Sequence, residues 1–238
     1  SYNNGIIDFN LTNYYLKYDF AIPFNKLDFT INTGGKYNSI KVNNFGQYNI
    51  NSSTNTIFDS NNYAESINFN YNESNLAFYV EVRKKIKKFN FTVGLRLEDF
   101  DVKREASTIA DKIEYRNTNL FPNISALYEI SPQVNFSSSY SIKIAQPNYN
   151  TIDPNNSSNF NQYNTSTGNL ALQPVFYDNF EVKLSALQFV QLGANYTIAK
   201  DDNRFIFSAK PGELVSNQTF QQFDKIKTFS AFASFPIP

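Results

Sequence analysis

A strict alternation of apolar and polar residues between positions 134 and 145 constrains the fold more than any other feature of the chain. One side carries Val134, Phe136, Ser138, Tyr140, Ile142 and Ile144, and the other carries Asn135, Ser137, Ser139, Ser141, Lys143 and Ala145. A period of two predicts a β-strand with one apolar and one polar face. The arm before it alternates in the same way, and only Ser131, Pro132 and Gln133 separate the two arms. The stretch Leu120–Ala145 is therefore predicted to be an antiparallel hairpin.

The same alternation recurs along the whole chain and predicts about nine strands. Short turns are expected near Pro23, Lys85, Pro132 and Leu187, and long polar connections near Asn51, Ala110, Ser158 and Gly212. In an up-and-down sheet, alternate connections lie at opposite ends, so all the short turns share one end. Outer-membrane barrels have this asymmetry, and arms of roughly ten residues are long enough to cross a bilayer when tilted. The predicted fold is all-β, an antiparallel up-and-down transmembrane β-barrel.

Several boundaries are predicted in more detail. Polar composition indicates connections over residues 42–62, 103–117, 146–175 and 200–222. In the third strand, the apolar residues change phase, from Ile67, Phe69 and Tyr71 at odd positions to Leu76, Phe78, Val80 and Val82 at even ones. One extra residue between Asn72 and Asn75 would exchange the two faces, so the pattern predicts a β-bulge there.

Composition excludes several classes of function. The chain has no Cys and no His, which removes disulfides, thiolate chemistry and the commonest general base and metal ligand. Lys+Arg and Asp+Glu balance at 21 each, which argues against a nucleic-acid partner. The basic run 83–88 is interpreted as a solvated hairpin end rather than a nucleic-acid or lipid-headgroup site. No run of apolar residues is long enough for a spanning helix.

Neither an enzyme nor a cofactor is expected from the side chains that remain. Acidic residues cluster at two places, Glu98, Asp99 and Asp101 at one and Asp201 and Asp202 at the other. Neither cluster has the full loop pattern of a calcium site, so both are interpreted as solvated strand ends. No acidic pair is singled out for glycoside hydrolysis, and no catalytic residue or metal ligand is assigned.

A family resemblance rests on motifs from residue 94 onward and on their order. They are Gly94-Leu95-Arg96-Leu97-Glu98, Asn119-Leu120-Phe121-Pro122-Asn123-Ile124-Ser125, Tyr140-Ser141-Ile142-Lys143, Gln146-Pro147-Asn148-Tyr149, Asp153-Pro154 and Gly168-Asn169-Leu170-Ala171-Leu172-Gln173-Pro174. Together they resemble the β-barrel of TonB-dependent outer-membrane receptors, over residues 13 to the C-terminus. One departure is Gln146, which stands where an Arg before the proline is common in that family, so an ion pair expected there is in doubt.

The resemblance implies a location in the outer membrane of a Gram-negative bacterium and uptake of a scarce ligand, such as an iron chelate, an oligosaccharide or a peptide. The barrel would seal the lipid, line a polar lumen and offer long loops to the ligand. TonB would deliver energy through a plug domain, and a surface lipoprotein is a further expected partner. Because the family's complete barrel has about 22 strands, residues 1–238 are expected to be a single barrel segment of a longer chain, without the plug domain and the remaining strands.

The candidate ligand contacts lie in the longest predicted loop. Tyr149, Asn150, Tyr163 and Asn164 combine aromatic rings with amides, which can stack on and hydrogen-bond to a sugar or peptide. Ordinary loop packing explains the same residues.

Two other functions remain open at this point. One is a passive porin-like or structural barrel. The other is a secreted soluble β-sandwich, an adhesin or carbohydrate-binding module, whose apolar rows would pack against each other.

Overall fold

Nine long strands form a single antiparallel sheet, as the alternation predicts. The computed structural model describes residues 3–50, 63–107, 112–154, 164–187, 189–209, 212 and 216–236. Its strands are β1 (Asn3–Phe24), β2 (Phe29–Ile50), β3 (Tyr63–Ile86), β4 (Phe89–Ala106), β5 (Ile113–Ser131), β6 (Val134–Ala145), β8 (Val175–Ala186), β9 (Val190–Ala209) and β10 (Ser216–Ser234). A short helix α1 (Tyr149–Ile152) and a short strand β7 (Asn164–Ser166) lie between β6 and β8.

The sheet order follows the chain, β1-β2-β3-β4-β5-β6-β8-β9-β10-β7. Every pair of long neighbours is antiparallel, whereas β7 adds to the edge of β10 in parallel, with Asn164 opposite Ser216. The sheet is not closed, because β1 pairs only with β2 among the described residues. No helix among the described residues is long and apolar enough to span a membrane.

The turns obey the predicted asymmetry, but the strands are longer than the pattern indicated. Tight turns join β1 to β2, β3 to β4 and β5 to β6, and backbone with positive φ at Asp28 and Lys87 lets the first two reverse within a few residues. The predicted connections at 42–62, 103–117 and 200–222 are longer than the observed ones. β2 continues to Ile50, β4 reaches Ala106, and β9 and β10 pair from Ala209 to Ser216. Polar residues on both faces hid these strand ends, because alternation is visible only where one face is apolar.

The two faces of the sheet are arranged opposite to those of a soluble protein. In the half of the sheet next to the short turns, the apolar rows are exposed. On β4 these are Phe89, Phe91, Val93, Leu95 and Leu97, which are between 38% and 53% exposed. Polar residues of the same strand, such as Glu98, lie on the concave face and are buried or half-buried. These exposed rows are referred to below as the apolar belt.

No second sheet covers the apolar belt in the described part of the chain, since all its strands belong to one sheet. This arrangement rules against the soluble β-sandwich, whose apolar rows would face each other. An exposed apolar band with a polar interior is what a transmembrane barrel requires.

The predicted β-bulge at Asn72–Asn75 is wrong. β3 keeps an unbroken register with β2 and with β4 through this region, including Ser39–Ser74–Asp101 and Leu76–Asp99. The apolar residues change phase because the apolar surface moves from one face to the other. Leu76 and Phe78 point outward with the belt, whereas Phe69 and Tyr71 are buried on the concave face.

The change of face occurs at the same height on the neighbouring strands. On β4, the outward Leu97 gives way to the inward Phe100 and Val102, and on β2 the outward Tyr37 gives way to the inward Ile40 and Val42. The part of the sheet formed by β2–β4 is thus divided into two zones. Next to the turns it is apolar outside and polar inside, and next to the long connections it is polar outside and apolar inside.

Candidate functional site: the inner wall and its strap

The segment between β6 and β8 folds inward onto the concave face instead of projecting as a free loop. Its described parts, residues 146–154 and 164–174, are called the strap below. Ile152, Leu170 and Leu172 of the strap are almost fully buried, and they pack in one cluster with inward side chains of β2, β3 and β4. The wall side of this cluster consists of Val42, Phe69, Tyr71, Val102 and Ala106. The apolar zone of the inner wall is therefore covered by the chain itself.

Local hydrogen bonds explain why the first part of the strap turns tightly. The side chain of Asn148 caps α1 by accepting from the backbone N–H of Asn150 at 3.0 Å. The backbone N–H of Asp153 donates to the carbonyl of Tyr149, which ends the helix after one turn.

The motif Gly168–Pro174, one of those that carry the family resemblance, packs against the end of α1, against β10 and into the buried cluster. Gly168 lies directly against the backbone of Ile152 and Asp153, where an added Cβ would come within 2.7 Å of the Asp153 nitrogen. The Asn169 side chain accepts from the Ala171 N–H and donates to the Phe220 carbonyl of β10. Leu170 and Leu172 enter the buried cluster, and Pro174 is buried just before β8 begins.

Two polar contacts fix the strap to the inner wall. Arg104 on β4 donates from Nη1 to the carbonyls of Leu170, at 3.0 Å, and Leu172, at 2.5 Å. The Asn44 amide on β2 donates to the Asp153 carboxylate at 2.5 Å. Because both contacts are buried, each also satisfies a polar group that the apolar packing would otherwise leave without a partner.

Arg104 is an unusual buried cation. Its side chain is 1% exposed, yet Nε and Nη2 have no hydrogen-bond partner among the described residues. Removal from water lowers the pKa of Arg104, while Tyr71, Tyr115 and Glu73 favour the charged form. A guanidinium stays protonated through such a shift. The strap is therefore held by a buried positive charge. Arg104 forms no ion pair among the described residues, and it donates hydrogen bonds to the carbonyls of Leu170 and Leu172.

Two tyrosines flank this cation on the neighbouring strands. Tyr71 lies directly opposite Arg104 across β3 and β4, and its hydroxyl donates to Glu73. Burial is the main cause that raises the pKa of Tyr71 and of Tyr115. Both hydroxyls thus remain neutral and able to form hydrogen bonds throughout the ordinary pH range.

Gln146 takes part in this polar group. Its amide donates to the Tyr115 hydroxyl at 3.0 Å, and its own Oε1 has no partner among the described residues. The buried cation of this region is supplied by Arg104 of β4, and no ion pair forms at position 146 among the described residues.

The predicted ligand contacts are only partly brought together. Tyr149 begins α1 and packs against Phe9 of β1, with the ring centroids 5.8 Å apart. Asn150 is exposed beside it. Asn164 begins β7 at the edge of β10, and Tyr163 lies outside the described residues.

The polar zone of the inner wall carries a network of charges that the sequence interpretation did not single out. Lys17 pairs with Asp19 at 2.8 Å, Arg83 with Glu81 at 2.7 Å, and Arg96 with Glu98 at 2.6 Å. Arg96 also lies over the Phe121 ring, 5.0 Å from its centroid. A hollow of about 340 Å³ opens among these residues, lined also by Lys36, Tyr79, Asn123 and Lys143.

A signal for this network was present in the sequence. In each pair, opposite charges stand two residues apart on the polar row of one strand, and positions two apart share a face. Charges of both signs along the lumen side of predicted strands indicate a hydrated interior.

The acidic clusters are separated by the strand geometry, and their interpretation as solvated strand ends is wrong for Glu98 and Asp202, which are buried. Glu98 is buried on the inner face beside Asn75, whereas Asp99 lies on the outer face with Thr118 and Arg116. Asp202 pairs with Arg204 at 2.5 Å. No group of three or more potential ligand side chains among the described residues could hold a metal ion.

The chain with this exposed belt and polar interior matches a known protein family. The sequence profile of the Outer membrane protein beta-barrel family matches residues 1–238. The chain belongs to this family. No curated protein sequence gives a significant match. Membership places the protein in the Gram-negative outer membrane, as predicted.

Solved structures of outer-membrane receptors and transporters share the fold of this family member. The copper transporter OprC has a TM-score of 0.62 at 13% identity, over 98% of this chain and 36% of that one. The ferric yersiniabactin uptake receptor FyuA from Yersinia pestis gives 0.58 at 14%, over 84% and 30%. The ferric citrate transporter FecA gives 0.57 at 10%, over 97% and 32%.

The chain therefore spans about a third of the length of these three proteins, namely 36%, 30% and 32%. The predicted resemblance to TonB-dependent receptor barrels is confirmed for the fold. In barrels of this kind, short turns face the periplasm and long loops the exterior. The strap and the apolar inner zone accordingly belong to the extracellular half of the barrel wall.

Proposed function

We propose that this chain forms part of the wall of an outer-membrane receptor that imports a scarce ligand, with energy delivered through TonB to a plug domain. The observation that carries the proposal is the inner wall. It combines a charged, hydrated zone next to the periplasm with a fixed strap next to the exterior, on a fold shared with receptor barrels. The wall's role is selective and mechanical, and no covalent chemistry is assigned to it.

The ligand class follows from the predicted loop contacts and from the lining. Tyr149 and Asn150 lie on the strap beside Phe9, where a ligand entering from outside would meet an aromatic and an amide surface. Charges of both signs deeper in the wall favour a polar ligand. An iron chelate, an oligosaccharide and a peptide all satisfy these conditions. A surface lipoprotein is the proposed partner outside, and outer-membrane lipid surrounds the belt.

Uptake by intact cells tests the proposal against passive diffusion. Cells that contain or lack the full natural protein are given a labelled ferric chelate, a labelled oligosaccharide or a labelled peptide, with and without a protonophore. We expect uptake of one probe to require the protein and to stop when the protonophore abolishes the proton gradient, because TonB draws on that gradient.

Two results would count against this function. Uptake that requires the protein but continues with the protonophore would indicate a porin-like channel. Identical uptake of all three probe classes by both strains would remove the import role for those classes.

A further inference from the structure

A single cation interrupts the aromatic row at the turn end of the apolar belt. The outward residues of this row are in register across the strands, Phe24 opposite Phe29, Phe29 opposite Lys84, and Lys84 opposite Phe91. Phe24 and Phe29 are stacked with centroids 4.5 Å apart. A second aromatic group, Phe89 with Tyr128, stacks one step nearer the turn, also at 4.5 Å. Lys84 thus stands on the lipid-facing surface inside an aromatic girdle.

Three of the four other cations of the β3–β4 turn already have partners. Arg83 pairs with Glu81, Lys85 pairs with Glu129 at 2.9 Å, and Lys88 donates to the Ile130 carbonyl. Lys84 and Lys87 form no ion pair within the described part of the chain, and both are exposed. The basic run 83–88 is exposed, as expected of a solvated hairpin end, and the fold divides it into three cations with partners and two without an ion pair among the described residues.

Lys84 is the cation of this run that the register places in the outward row of β3. Arg83 and Lys85 lie opposite Thr92 and Asn90, in the inward row, so their charges belong to the inner wall. Aromatic girdles lie at the level of the lipid headgroups, and a Lys there extends its stem along the rings while its ammonium reaches the interface.

We propose that Lys84, assisted by Lys87, binds the phosphate of an anionic phospholipid in the periplasmic leaflet of the outer membrane. The orientation follows from the short turns, which face the periplasm in barrels of this kind. The acyl chains of that lipid lie along the outward rows of β2, β3 and β4. Its headgroup meets the open cations, so phosphatidylglycerol is preferred to zwitterionic phosphatidylcholine. The site is independent of the imported ligand.

Native mass spectrometry of the full natural chain in detergent tests this site. Phosphatidylglycerol and phosphatidylcholine with the same acyl chains serve as probes. Each Lys near an anionic surface strengthens binding by roughly fivefold. We expect Lys84→Gln to weaken phosphatidylglycerol binding by about that factor and Lys84→Glu to weaken it further, with little change for phosphatidylcholine.

Lys41→Glu is the matched control, because Lys41 is an exposed Lys on the same outward face beyond the other edge of the belt. Its affinity for phosphatidylglycerol should stay within twofold of the parent protein. Equal losses for Lys84→Glu and Lys41→Glu would overturn the proposal, as would unchanged binding by Lys84→Glu or equal affinity of the parent protein for both lipids. Mobility of unheated samples in gel electrophoresis verifies that each variant is folded.

Discussion

Arg104 shows which effect dominates where the strap meets the wall. A buried guanidinium with two nitrogens that lack a partner among the described residues carries a desolvation cost of several kcal/mol. Against it stand the burial of Ile152, Leu170 and Leu172, about 1.5–3 kcal/mol for each side chain, and two carbonyl contacts to the same cation. The apolar burial and the two carbonyl contacts together offset this cost, so we expect the strap to stay docked as part of the wall.

Gly168 gives a single-residue test of this docking. Gly168→Ala places a methyl group against the backbone of Ile152 and Asp153, which cannot move aside as a flexible side chain would. We expect the strap to loosen by about 1–3 kcal/mol and proteolysis within it to accelerate roughly tenfold or more. Limited proteolysis of the folded protein in detergent measures the change.

The control for this variant is Gly94→Ala on the inner face of β4. There the three atoms nearest to the added methyl group all belong to the Asn123 side chain, which can rotate away. The strap of Gly94→Ala should be cleaved at the parent rate. Equal cleavage of the Gly168→Ala variant and the parent protein would show that the strap is not held by this close backbone contact.

The change of face along β4 gives a prediction for a whole element. Val93 lies in the middle of the outward apolar row, between Phe89 and Leu97. Val93→Arg should lower the free energy of unfolding by about 2–4 kcal/mol, because a charge then faces hydrocarbon. Urea unfolding of the full natural chain in vesicles is the measurement.

Ser74→Arg places the same residue on the outward face of β3 beyond the change of face, opposite Asp101. Its free energy of unfolding should shift by less than about 0.5 kcal/mol. A cost as large as that of Val93→Arg would mean that lipid covers both zones of the outer face.

Sequence periodicity predicted the strands wherever exactly one face is apolar, and it failed where that condition does not hold. The hairpin Leu120–Ala145 was predicted closely, since its outward row is apolar except at Ser138. In β3 the same periodicity suggested a bulge, although the register is unbroken. The sequence shows that the apolar residues change phase, but it does not show that the strap covers the inner face there. The strap could not be foreseen, since its partners on β2–β4 are distant in the chain.

The molecule as a whole has an orientation that labelling can establish. Residues 1–238 contain no Cys, so a Cys introduced there is the only one in this segment, and the parent protein gives the background labelling. Lys87→Cys lies at the short-turn end, and Ser107→Cys lies just after β4 at the opposite end. On intact cells, a membrane-impermeant maleimide should react with Ser107→Cys and should reach Lys87→Cys only after the outer membrane is permeabilised.

The reverse labelling pattern would show that the short turns face the exterior. The Lys84 site would then lie in the outer leaflet, against the proposal. Reaction of both variants on intact cells would mean that the short turns are not shielded by the membrane. Either outcome would leave the family and the fold unchanged, because these rest on the sequence profile and the sheet.

The height at which the apolar surface changes face also fixes how far the wall stands above the lipid. The part of β3 from Asn75 back to Tyr63 is fully paired with β2, and at the usual rise and tilt it extends roughly 30 Å beyond the hydrocarbon. The zone of the wall next to the long connections thus extends out of the membrane. Like a water-soluble protein, it has a small apolar core and a polar exterior. Lipid covers only the zone next to the turns, so we expect a change in lipid composition to act on the apolar belt and not on the packing of the strap.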